Sequence, residues 1–366
     1  MQQKNIFILI AGLRVGGAEK FLVSLVNALD PALFRLNVIS FSHENPLQSE
    51  LRQDVRFHSL GRNGRFDVMP LLRLRKLIKE HRPETFFCVG FFSFFLVVCA
   101  GMFIKMKVKR MIGYHATIPR NKREDRLMKL YLRCLKKDDL VVTVSSKQAA
   151  YTAARYAIPG QQFHTIHNGV DTSFWTLPFA DFKKNALRAQ YQLPADAYVI
   201  IKTAVLRPEK NHPGAVRALH LLHTTYGLKA YLLLVGDSPM KDNIREMAAA
   251  LHLTDYVRFA GFQQDVRPFY WISDLFVLCS FTETFSIAAL EAMACGLPCV
   301  LTNVGGAQEM IVAGKSGFVC AREERDMAIQ WFRAFNTSFS PPKIHAIIRE
   351  KFEQSDMIKK YADLLS

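Results

Sequence analysis

The stretch Phe281-Thr-Glu-Thr-Phe-Ser-Ile-Ala-Ala-Leu-Glu-Ala-Met-Ala-Cys-Gly-Leu-Pro298 decides how this chain folds. The apolar residues 275–278 ahead of it read as a buried strand, and a second such run lies at 298–301. Between them Ser286 is a good helix N-cap, Gly296 ends the helix and Pro298 blocks its continuation. Strand, helix and strand in so short a span imply a parallel sheet with a helical crossover.

The same alternation extends outward in both directions. In the first half, residues 6–10, 36–40, 85–89, 110–114, 140–144 and 163–166 read as strands. Between the first two, Ala18, Phe21, Leu22, Leu25, Val26 and Leu29 repeat at helical spacing. The turn-rich segment His167-Asn-Gly-Val-Asp-Thr-Ser-Phe-Trp175 reads as a boundary. Strands then resume at 198–204, 230–235, 257–259, 275–278, 298–301 and 317–320, with helices at 213–226 and 243–251. The pattern predicts an α/β chain of two Rossmann-like, doubly wound domains facing across a cleft, with ligands at the carboxyl ends of the strands. We divide it as 1–170, 171–343 and a terminal helical segment 344–366 that packs back on the first domain.

Composition narrows the class. The 366 residues are 50% apolar and 22% charged, which excludes a disordered chain, and no short period marks a solenoid. The seven cysteines form no Cys-x-x-Cys pair and sit among apolar residues, so they read as reduced thiols of a cytoplasmic protein without a zinc site. The apolar run in the first 17 residues is too short for a signal peptide. The uncharged residues 85–104 are long enough for a membrane span. Because the strand pattern continues across them, we read a buried strand, a turn at Gly90 and a buried helix. The net charge of +16 is uneven: residues 1–175 hold 27 Lys+Arg against 13 Asp+Glu, and residues 176–366 hold 21 against 19. The first half therefore suits an anionic surface, a membrane leaflet or a nucleic acid.

Four constellations carry chemistry. Glu283 and Glu291 flank a helix start whose free N–H groups near Phe285, Ser286 and Ile287 suit a phosphate or a sugar hydroxyl. In Ala204-Val-Leu-Arg-Pro-Glu-Lys-Asn-His-Pro213, Arg207 and Lys210 are placed to neutralise a diphosphate. Gly16 and Gly17 follow the first strand and permit close backbone approach, although neither Gly-x-Gly-x-x-Gly nor a P-loop is present. His115 ends a strand of the first domain. Read singly, each has a plainer alternative: a favourable charge at a helix start, a solvated basic loop, a tight turn, a structural histidine.

In order and spacing these pieces resemble the GT-B glycosyltransferases of family 4, whose members retain anomeric configuration. The resemblance runs over nearly the whole chain. It includes Gly16-Gly-Ala-Glu19, His115, Asn168-Gly-Val-Asp171, the Arg207–Lys210 loop, Glu283 with Glu291, and Gly305-Gly-Ala-Gln-Glu309. It implies transfer of a sugar from a nucleotide-sugar donor, UDP or GDP type, to a saccharide or lipid-linked acceptor in bacterial surface polysaccharide or lipopolysaccharide synthesis. Lys210 and Arg207 would hold the diphosphate, and Glu291 the ribose. Glu283, with the Phe285 and Ser286 backbone, would hold the sugar, and His115 would contact it. Gly16 and Gly17 would approach both substrates. No cofactor or metal is implied. Two positions depart from the family pattern: Val205 stands where arginine is usual, leaving the role of Arg207 open, and Thr284 stands where glycine is usual.

The resemblance also places the acceptor on the basic first domain. An anionic membrane surface is thus expected, with the protein peripheral on the inner face of the cell membrane. Candidate contacts are Arg73, Arg75, Lys76, Lys79, Lys105, Lys107, Lys109, Arg110, Arg120, Lys122, Arg123 and Arg126. Alternative readings are a nucleotide-sugar 2-epimerase of the same fold, a related subunit with a lost site, and a basic non-enzymatic binding protein. Nucleic acid is not an expected partner, because aromatic and basic residues do not interleave.

Overall fold

The computed structural model describes residues 3–14, 16–64, 67–102, 104, 107–115, 122–237 and 240–366. The chain forms two units, Met1–His167 with Asp356–Ser366, and Asn168–Ser355.

The first unit holds strands β1 (Lys4–Ile10), β2 (Phe34–Ser40), β3 (Arg56–Ser59), β4 (Thr85–Val89), β5 (Lys109–Tyr114), β6 (Leu140–Thr143) and β7 (Phe163–Thr165) in the order β3-β2-β1-β4-β5-β6-β7. Every pairing is parallel. Both faces are covered, which is why β1 is apolar on both sides. Ile6, Ile8 and Ile10 pack with Phe21, Leu22 and Leu25 of the helix Gly17–Ala28. Phe7 and Leu9 pack oppositely, with Leu74, Ile78 and Phe94. The short edge strand β3 has no counterpart in the sequence reading, since Arg56 and Ser59 are exposed and no apolar alternation marks it.

The uncharged stretch resolves into β4, a left-handed Gly90 (φ 87°) and the helix Phe91–Gly101. At 11 residues that helix is about half of what a bilayer requires. Among the described residues no helix is long and apolar enough to cross a membrane.

The second unit holds β8 (Val199–Thr203), β9 (Tyr231–Val235), β10 (Val257–Gly261), β11 (Leu275–Leu278), β12 (Cys299–Thr302) and β13 (Gly317–Cys320), ordered β10-β9-β8-β11-β12-β13. These strands are also parallel. The order reverses between β8 and β11. Ile200, Leu232, Leu234, Leu275 and Val277 meet Val216 and Leu219 of the helix His212–Tyr226 and Trp331 of the helix Glu324–Phe335.

The boundary expected at 170/171 falls at 167/168. The segment expected to return from 344 does so only from Asp356. The helix Pro341–Lys351 stays with the second unit because Ile344 and Ile348 are buried there and His345 Nδ1 lies 2.6 Å from the Ala294 carbonyl oxygen. Met357, Tyr361 and Leu365 of the helix Gln354–Leu365 then enter the core of the first unit.

Candidate active site

Chain topology creates the site in the second unit. Where strand order reverses, the loops leaving two adjacent strands diverge and open a crevice at their carboxyl ends. The loops after β8 and β11 occupy this position. The first carries a single 3₁₀ turn, Pro208–Lys210. Asn211 follows in the left-handed region (φ 50°) and accepts a 3.0 Å hydrogen bond from the Gly214 N–H, capping the helix His212–Tyr226. The Phe281 N–H, from the second loop, donates to the Glu209 carbonyl at 2.9 Å. The Lys210 ammonium donates to Glu283 Oε2 at 2.5 Å. Each side chain of that pair is about a quarter exposed, so the ion pair is open to an incoming ligand.

The helix after Glu283 is Ile287–Ala294, capped by Ser286, whose Oγ accepts from the Ala289 N–H at 3.3 Å. Glu291 lies on it, and the Tyr270 hydroxyl donates to its Oε2 at 3.3 Å. The same hydroxyl lies 2.9 Å from Thr203 Oγ1 at the end of β8. Burial and then the Glu291 carboxylate hold the Tyr270 phenol well above its ordinary range, so it remains a donor. The Phe285 carbonyl accepts from Asn168 Nδ2 at 3.1 Å. Gly305 sits at φ 50°, and a Cβ there would collide with the carbonyl oxygens of Glu283 and Thr284. The Gly306 N–H donates to the Thr284 carbonyl at 2.8 Å. The glycine pair thus lets one backbone segment close over the Glu283 loop.

Lys210, Glu283, Phe285, Ser286 and Glu291 are therefore gathered around one group of strand ends. Arg207 points elsewhere: its side chain is 62% exposed and its guanidinium reaches Glu209 at 4.0 Å. Tyr270, Thr203 and the buried Lys202 were not singled out from the sequence. The first two reach the site only through tertiary contacts. Lys202 did leave a trace, one lysine directly after the apolar run Val-Ile-Ile in the strand Val-Ile-Ile-Lys-Thr.

In the first unit, Gly16 precedes the helix Gly17–Ala28 with the Glu19 carboxylate over it, and the space around Gly17 is open. His115 follows β5, its ring 4.7 Å from that of Phe21 on the same helix. Its Nε2 is closed to solvent. Burial pushes the imidazole down to about 4, so it is neutral near pH 7.

The candidate surface cations divide. Arg110 makes a two-pronged pair with Asp139 at 2.6 and 2.5 Å, and its side chain is only 11% exposed. It is thus a structural ion pair and not a surface contact as expected. Arg73 donates to the Leu60 carbonyl at 2.6 Å. Lys76, Lys79, Lys107, Lys122, Arg123 and Arg126 are exposed. Lys105 and Arg120 lie outside the described residues.

Two all-parallel, doubly wound units, one with a basic-acidic pair at its switch point, define the GT-B class of glycosyltransferase fold. Residues 183–335 match the family model described as glycosyl transferases group 1, and residues 15–174 match glycosyltransferase family 4. The chain belongs to this glycosyltransferase family. It is similar over 99% of both chains to Anabaena HepE crystallised with UDP, with a TM-score of 0.85 at 19% identity. A glycosyltransferase structure from Rickettsia africae superposes over 100% of this chain and 98% of its own, with a TM-score of 0.84 at 18% identity. In sequence, the chain is 33% identical over 182 residues to N-acetyl-alpha-D-glucosaminyl L-malate synthase of Bacillus anthracis. It is 34% identical over 132 residues to the lipopolysaccharide core biosynthesis glycosyltransferase LpsE of Rhizobium meliloti. These alignments take in 49% and 36% of this chain, and span less than half the length of the relatives, 46% and 37%.

Proposed function

We propose that the protein transfers a sugar, with retention of configuration, from a UDP- or GDP-linked donor to a saccharide or lipid-linked saccharide of a bacterial surface polysaccharide or lipopolysaccharide. The observation that carries this reading is the Lys210–Glu283 pair at the β8/β11 switch point, with Glu291 on the helix that begins beside it. In transfer, the bond from the anomeric carbon to the diphosphate oxygen breaks, and the diphosphate keeps the electron pair. The acceptor oxygen bonds to that carbon and releases its proton. The Lys210 ammonium offsets the charge growing on the diphosphate, assisted by the N–H groups near Ser286. Glu283 accepts hydrogen bonds from sugar hydroxyls and Glu291 from the ribose diol. Arg207 swings from Glu209 to the phosphates. His115, neutral, hydrogen-bonds the donor sugar, and Gly16 and Gly17 admit substrate close to the backbone. These cations and dipoles supply the charge stabilisation without a metal ion.

The acceptor side is proposed to work at an anionic membrane surface. Val68, Met69 and Leu72 are 63%, 48% and 55% exposed at the start of the helix Met69–His81, which also carries Lys76 and Lys79. Apolar residues beside basic ones suit the headgroup layer.

Thermal denaturation with UDP, GDP, ADP and CMP, and with their sugar conjugates, tests the donor reading. One nucleotide class should raise the melting temperature, and Glu291→Ala should abolish the shift. No shift with any of them would overturn it. Product analysis then separates transfer from epimerisation: a glycoside formed only with acceptor supports transfer, an epimerised sugar without acceptor refutes it.

A further inference from the structure

Asn168 opens the second unit with a buried side-chain amide. The chain passes between the units at 167/168 and again at 355/356. The segments beside these two points are joined within the second unit. The Val170 N–H donates to the Phe352 carbonyl at 3.0 Å, and the Gln354 N–H donates to the Val170 carbonyl at 3.1 Å. A Cβ on Gly169 would stand 2.9 Å from Gln354 Cα, so glycine is what lets the two segments pack this closely. The Thr172 hydroxyl donates to Glu353 Oε2. Asn168 is thus mounted on a fixed frame. It is 6% exposed, and its Oδ1 has no hydrogen-bond partner among the described residues. Burying half of an amide unpaired carries a cost that an aliphatic side chain would avoid. The other half is used: Nδ2 donates to the Phe285 carbonyl at 3.1 Å.

That contact fixes more than one atom. A trans peptide is a rigid plane in which the C=O and the following N–H point in opposite directions. No peptide bond among the described residues is cis. Holding the Phe285 carbonyl therefore aims the Ser286 N–H. The plane before it is held in the same way: the Thr284 carbonyl accepts from the Gly306 N–H at 2.8 Å, which aims the Phe285 N–H. The Phe285 ring is anchored as well. It is 4% exposed and lies 5.6 Å from the ring of Phe352, on the frame that carries Asn168. Two successive N–H groups, just ahead of the helix Ile287–Ala294 and just after Glu283, are thus directed from behind.

We propose that Asn168 is a positioning residue of the donor site: it holds the Phe285 carbonyl so that the Ser286 N–H is aimed at a bound diphosphate. The inference rests on the donor site proposed above. Aim matters because a hydrogen bond weakens steeply once its angle falls below about 120°. A donor that is already oriented also needs no reorganisation when the anion arrives. Without the Asn168 amide the plane between Phe285 and Ser286 loses this restraint, and the Ser286 N–H spreads over directions that miss the phosphate. Asn168 acts through the peptide plane and not by touching the ligand.

The test uses the full chain, with Asn168→Ala to remove the donor and Asn168→Leu to refill the space should the alanine variant fail to fold. Calorimetric titration with UDP, GDP and ADP compares the variant with wild type, at a temperature where its melting curve shows it folded. For the diphosphate that wild type binds, affinity should fall about tenfold, part of what a hydrogen bond to a charged group contributes. Isotopic labelling of serine nitrogen gives the second readout by NMR, with Ser286 assigned from the signal lost in Ser286→Thr. In wild type the Ser286 amide proton should move downfield when that diphosphate binds. In the saturated variant it should move far less. A side chain that only packs the frame would lower the melting temperature and leave this response intact. Affinity within about twofold of wild type, or an unchanged Ser286 response, in a folded variant overturns the role of Asn168 alone. A wild-type Ser286 amide that ignores a bound diphosphate overturns it too. A wild-type chain that binds none of the three overturns the donor site itself, and the role of Asn168 with it.

Discussion

The Tyr270 hydroxyl stands 3.3 Å from Glu291 Oε2 and 2.9 Å from Thr203 Oγ1, bridging the helix Ile287–Ala294 to the end of β8. Tyr270 is 1% exposed, so its ring is fixed by packing and its hydroxyl fixes the carboxylate. Tyr270→Phe removes that bridge and almost nothing else. It should cost about 1 kcal/mol of stability, read from the urea midpoint, and about fivefold in nucleotide affinity, read by titration. Equal affinity in the variant would mean that Glu291 is oriented by other means.

Lys210 and Glu283 are linked at 2.5 Å but partly exposed, so each can be removed without emptying a core. Lys210→Ala and Glu283→Ala should fold normally, with melting temperatures close to wild type. Each should lose about 10²–10³-fold in transfer rate. Near-normal turnover in either variant would remove that residue from the mechanism.

Gly305 takes a left-handed conformation directly against the carbonyls of Glu283 and Thr284. Gly305→Ala should therefore cost about 1–3 kcal/mol of stability. Because the displaced segment carries Glu283, transfer should fall by more than this destabilisation explains. A variant with lowered stability and intact turnover would separate the loop's conformation from its chemistry.

Two histidines give the fold a defined response to acid. Burial lowers His115 to about 4, and burial, followed by Lys202 and Lys210, lowers His212 to about 3, against an ordinary 6.5. Between pH 6.5 and about 4 the unfolded chain binds protons that the folded chain refuses. Stability is thus fully present above pH 6.5 and falls as pH drops, by about 1.4 kcal/mol per pH unit for each ring. Urea midpoints measured through this window should decline, and His115→Gln should flatten the decline. A midpoint independent of pH there would contradict both placements.

Arg110 and Lys76 separate structure from surface binding. Breaking the buried Arg110–Asp139 pair with Arg110→Ala should cost about 3–5 kcal/mol of stability. Lys76→Glu, at an exposed site, turns the 3.7 Å pair with Glu80 into a like-charge contact; it should cost no more than about 1 kcal/mol of stability and should weaken binding to vesicles containing anionic lipid. Vesicle binding that is indifferent to lipid charge and to salt would contradict the membrane proposal.

The sequence showed the parts of this fold that depend on local pattern. The strands at 275–278 and 317–320 appear at the bounds read from their apolar runs, and Ser286 and Gly296 bracket the helix between them as their cap preferences require. The β8 and β11 loops were legible because turn residues and charges interrupt apolar runs. What stayed hidden is tertiary. The edge strand β3 forms only because β2 offers it a ladder, through pairs such as Val38 with Phe57. Tyr270 reaches Glu291 from a separate short helix, Arg267–Trp271. Arg110 looks like any surface cation until the loop before β6 brings Asp139 to it. The apolar face of the helix Pro341–Lys351 does not itself say which unit covers it.

The most direct test of the donor site is a crystal structure of the chain with the nucleoside diphosphate that stabilises it most. The account expects the phosphates within hydrogen-bond distance of Lys210 Nζ and the N–H groups near Ser286, and the ribose hydroxyls on Glu291. A diphosphate bound elsewhere, with the Lys210–Glu283 pair undisturbed, would contradict it.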